Sequence, residues 1–84
     1  MFEGPNSIKG LRKRAERLPD SPYKLLLQLT ATQLESNKIT NREVKKIIEY
    51  ARTGDSTLLT VALKFLNLTP EQISISIQQL EKMQ

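Results

Sequence analysis

The chain has 84 residues, the size of one small domain, and contains no Cys, His or Trp. This inventory rules out disulfides, thiol chemistry, Cys/His metal sites and histidine acid–base catalysis, so no metal, cofactor or enzymatic activity is expected. The 13 basic and 9 acidic residues leave a net charge of +4, and the position of that surplus carries more information than its size.

Residues 1–6, Met-Phe-Glu-Gly-Pro-Asn, read as a loose tail without the basic-then-apolar pattern of a secretory signal. No apolar run approaches the roughly 18 residues needed to span a bilayer. A soluble cytoplasmic protein with no membrane contact is therefore expected. Ser7 is a candidate cap for a first helix over 8–18, with Ile8, Leu11, Ala15 and Leu18 as a narrow apolar stripe. Gly10 weakens that helix by about 1 kcal/mol relative to Ala, so the helix depends on docking. Lys9, Arg12, Lys13, Arg14 and Arg17 stand against one acid, Glu16, a surplus equal to that of the whole chain. Such a helix is either a contact for a polyanion or an ordinary solvated face.

Pro19-Asp20-Ser21-Pro22 breaks the chain, with Ser21 as cap and Pro22 as first residue of a second helix over 22–35. Tyr23, Leu26, Leu27, Thr30 and Leu34 form one face of it, and Leu25 and Leu29 lie off that face. A helix apolar on two sides is either wedged inside the domain or covered by a partner, which makes Leu25 and Leu29 the candidate homodimer or partner face. After the connector Ser36-Asn37-Lys38, Thr40 and Glu43 have capping-box spacing and open a third helix over 41–53, with Val44, Ile47, Ile48 and Ala51 inward. Gly54 suits the left-handed residue that ends it. Asp55 caps a fourth helix over 56–66, whose Leu58, Leu59, Val61, Ala62, Phe65 and Leu66 cover over half its circumference. This helix is expected to be the most buried.

Asn67-Leu68-Thr69-Pro70 is a short turn. Asn67 stands where positive φ is tolerated, Thr69 and Gln72 have capping-box spacing, and Pro70 suits a first helical position. The run Ile73-Ser74-Ile75-Ser76-Ile77 alternates like a strand, but its helix-specific start and the spacing of Ile73, Ile77 and Leu80 predict a fifth helix over 70–83. The fold class is all-α: five short helices in a single domain. It comprises the tail, a basic helix plus an apolar helix over 7–36, and a three-helix unit over 40–83.

Leu66-Asn67-Leu68-Thr69-Pro70-Glu71-Gln72-Ile73-Ser74, followed by Ile77, Leu80 and Glu81, resembles the turn and last helix of a winged-helix or helix-turn-helix DNA-binding domain. The resemblance covers about residues 40–83 and implies a wingless version of that core. It makes helix 70–83 the recognition helix, with Glu71, Gln72, Ile75, Ser76, Gln78 and Gln79 outward. Gln72, Ile75, Ser76 and Gln79 then become candidate base contacts: Gln pairs with adenine, Ser bonds base edges, and Ile touches a thymine methyl. Glu71 and Glu81 outweigh Lys82 on this helix. Phosphate contacts must therefore come from Lys9, Arg12, Lys13, Arg14, Arg17 and Lys46, with Lys38, Arg42, Lys45 and Lys64 in second rank.

The expected function is a small duplex-DNA-binding regulator of transcription or replication. Two alternatives stand beside it. Ile75, flanked by Ser and Gln and opposite the apolar stripe, also suits a protein–protein adaptor. Helix 8–18 also suits RNA. The carboxylates are scattered, the glycines are far apart, and no base stands near the serines, so catalysis has no visible constellation.

Overall fold

Capping chemistry sets where each helix begins. In the computed structural model, residues 7–83 are described, and they contain five α-helices and no strand. They are α1 (Ile8–Glu16), α2 (Pro22–Glu35), α3 (Asn41–Thr53), α4 (Ser56–Phe65) and α5 (Pro70–Lys82). The expected tail at 1–6 lies outside the described residues.

The Ser7 and Ser21 hydroxyls accept the amides of Gly10 and Lys24 at 3.1 and 3.2 Å. Asp55 accepts those of Thr57 and Leu58 at 2.8 and 3.3 Å. These side chains satisfy amides that a helix start leaves without a partner. Glu43 reaches back to the Thr40 amide at 3.1 Å. Thr69 and Gln72 bond reciprocally at 3.2 and 3.0 Å. Gly54 ends α3 at φ 73° and Asn67 turns the chain at φ 56°, both in the left-handed region anticipated for them. Asn37 adopts the same conformation, φ 59°, in the connector.

α1 is two residues shorter than expected. The Arg17 and Leu18 amides bond back only three residues, to Arg14 and Ala15, at 3.3 and 3.2 Å. Pro19 disfavours helical backbone at the residue before it, so the helix tightens and stops. Leu18 still packs on the core from beyond the helix end.

α2 is the hub. It packs against α1, α3 and α4, and it buries Leu26, Leu27, Thr30, Ala31 and Gln33. α4 buries only Leu59, Ala62 and Leu63 within the helix. The expectation that α4 is the most buried helix is therefore corrected: its Leu58 and Val61 are only half-buried, whereas α2 buries five residues along its length. Leu63, absent from the expected core of α4, is fully enclosed. Leu25 and Leu29, the candidate partner face, are half-buried against the same core.

α3 seals Val44, Ile47, Ile48 and Ala51 at 0–5% exposure, and Tyr50 stacks on Phe65 of α4 with ring centroids 5.9 Å apart. α5 is joined through α4 and the preceding turn. The buried Gln33 side chain donates to the Leu66 carbonyl at 2.8 Å and the Asn67 carbonyl at 3.3 Å. These carbonyls lie at the end of α4, where no helical amide follows to bond them. A side chain of α2 thus completes the turn that aims α5.

Candidate nucleic-acid interface

The basic residues of α1 do not form one outward set. Arg12 bonds Glu35, at the end of α2, at 3.3 Å. Arg14 is half-buried and donates to the Tyr23 hydroxyl. Lys9 is exposed and also has an interaction of its own. Lys13 and Arg17 are exposed and have no ion pair within the described residues. Because α1 lies along α2, two of the five cations between residues 9 and 17, Arg12 and Arg14, bond to side chains of α2.

α3 presents the opposite case. Arg42, Lys45, Lys46 and Arg52 are all exposed, and none is in an ion pair with the described residues. Glu43 is directed to the helix start, where its carboxylate accepts from the Thr40 amide and hydroxyl, both at 3.1 Å. Glu49 is the remaining carboxylate on this helix. Lys45 and Arg52 flank it in a shallow depression with Ile48. Of this set, only Lys46 is among the first-rank phosphate contacts expected from the sequence. The signal for the others was available: four cations spaced around one strongly amphipathic helix. It was outweighed by the denser charge run of α1.

On α5 the four candidate base contacts separate. Ile75 is 55% exposed, the most exposed large hydrophobic among the described residues. Gln79 is exposed. Gln72 is exposed too, but its Oε1 accepts the Thr69 amide at 3.0 Å. Bidentate pairing with adenine needs both the oxygen and the nitrogen of the amide, so Gln72 would have to share or release the oxygen that caps the helix. Ser76, expected outward, is buried at 4% exposure. The helix has rolled so that Ser76 and Leu80 face inward, with Ile73 and Ile77 half-buried beside them. A small hydroxyl fits close helix packing where a larger side chain would hold α5 away.

One groove between α2 and α5 brings together residues far apart in the sequence. Leu29 of the partner-face candidates lines it with Leu68 and all four base-contact candidates, while Thr32 and Gln33 complete the wall. Leu25 is not part of it. The groove is apolar with an amide rim and carries no charged side chain.

Among the described residues, no group of three or more His, Cys, Asp or Glu side chains is arranged to hold a metal ion. No helix among them is long and apolar enough to cross a membrane. No protein-family model, curated protein or solved structure matches this chain. The resemblance to helix-turn-helix domains therefore rests on the residues of the turn and of α5 themselves.

Proposed function

We propose that this protein binds duplex DNA chiefly through its phosphates and acts as a small regulator of transcription or replication. One observation carries the reading: exposed cations concentrate on the outer faces of α1 and α3, with few carboxylates to offset them. Neutralising phosphates releases condensed counterions, which supplies sequence-independent affinity. The capped turn before α5 supports the helix-turn-helix reading of α4 and α5. Within that reading α5 is a weak reader of sequence, because Ser76 is buried, Gln72 is engaged and the helix is net acidic. Ile75 and Gln79 remain for base contact.

Titration of a short labelled duplex over a salt series tests this. The logarithm of affinity is expected to fall linearly with the logarithm of salt, with a slope of about −0.9 per contacted phosphate. Absence of duplex binding at low salt, or tighter binding to single-stranded RNA, rejects the proposal.

The exposed Ile75 beside the uncharged groove favours a second reading, a protein adaptor using the α2–α5 face. That reading requires no duplex binding, so the same titration separates the two.

A further inference from the structure

We infer that the outer face of α3, and not the denser basic run of α1, is the principal phosphate-contacting surface of this protein. The inference rests on the duplex-binding proposal above and adds where the duplex lies. Charge density along the sequence favours α1. The structure reverses the ranking, because Arg12 is paired with Glu35, Arg14 with Tyr23, and Lys9 is likewise engaged. Lys13 and Arg17 remain, with the exposed Glu16 between them in sequence.

On α3 the four cations Arg42, Lys45, Lys46 and Arg52 stay exposed, against two carboxylates: Glu49 on the same face, and Glu43, which is turned back to the Thr40 amide and hydroxyl. Binding a phosphate with them breaks no ion pair within the described residues. Arg42 and Lys46 lie one turn apart, on the side away from the buried Val44 and Ile47. The ten residue steps from Arg42 to Arg52 span about 15 Å at a rise of about 1.5 Å per residue. A duplex carries one charge per roughly 1.7 Å of axis, so that length offers more phosphates than four cations can neutralise.

The platform is also well anchored. The inward face of α3 is 0–5% exposed at four apolar positions, so its cations project from a backbone held by the core.

Two double variants that remove equal charge make the test: Arg42→Gln/Lys46→Gln on α3 and Lys13→Gln/Arg17→Gln on α1. Gln is a good helix former, and circular dichroism confirms that each variant is folded. With a labelled duplex, the α3 pair is expected to reduce the salt slope by about 2 and to weaken binding at least tenfold. The α1 pair is expected to lose less than half as much in slope. Equal losses, meaning that affinity follows net charge alone, or a larger loss from α1, would overturn the inference while leaving duplex binding intact. A wild-type chain that does not bind duplex overturns the proposed function and this inference together. Glu49→Gln provides an independent arm, since it removes the carboxylate from the same face. It is expected to tighten duplex binding several-fold, and unchanged affinity would count against α3.

Discussion

α3 and α5 are the same length, 13 residues, and each starts with a Thr and a long polar side chain three residues later that reaches back to the Thr amide. Their tertiary fates differ. α3 buries four apolar residues between α2 and α4. α5 buries Ser76 and Leu80 and is held mainly by α4 and by the turn that Gln33 clamps. The difference teaches that capping decides where a helix starts, and that packing decides how much of the stability of the fold depends on it.

Three measurements test this comparison. The largest effect is expected in the core. Ile47→Ala should cost about 2–5 kcal/mol in urea unfolding, because a fully enclosed side chain leaves a cavity. Ile77→Ala, at a half-buried site on α5, should cost about 1 kcal/mol. Equal losses would mean that α5 is as firmly integrated as α3.

Gln33→Ala comes next. It withdraws the donor from two carbonyls at the α4–α5 turn, and a buried acceptor left unpaired costs about 1–3 kcal/mol. Amide hydrogen exchange should then quicken in α5 before it does in α3. Uniform acceleration across both helices would contradict a local role for this clamp.

The smallest effect probes what the two helices share. Glu43→Ala and Gln72→Ala should each cost about 0.5–1 kcal/mol, because each removes the side-chain acceptor that bonds the amide at the start of its own helix. A clearly larger loss on α3 would show that even these local bonds depend on the packing behind them.

Much of the fold was legible because its signals are local. Ser21-Pro22 and Thr40 with Glu43 placed the limits of α2 and α3 at the observed residues, and the helical backbone at Ile73–Ile77 followed from the Thr69-Pro70 start despite the alternating pattern. Gly54 and Asn67 adopt the left-handed conformation their residue types favour. The candidate site was far less legible. Ser76 looked outward as a polar residue, but it stands one turn before Leu80 at the edge of the apolar stripe, and packing draws it in. Leu29 was set apart from α5 in the sequence, and the fold brings it into one groove with that helix. Gln33 carried no sequence signal, since its partners at Leu66 and Asn67 lie over thirty positions away.

By itself, then, the sequence determined the all-α class, the number of helices among the described residues, their caps and the sense of their turns. Each of these depends on residues within about four positions of one another. Only the tertiary structure decided that α2 is the hub, that α5 presents Ile75 and buries Ser76, and that α3 keeps its cations while α1 commits Arg12 and Arg14. Those outcomes depend on neighbours brought from elsewhere in the chain, and composition along a helix does not reveal which of its charges will find a partner there.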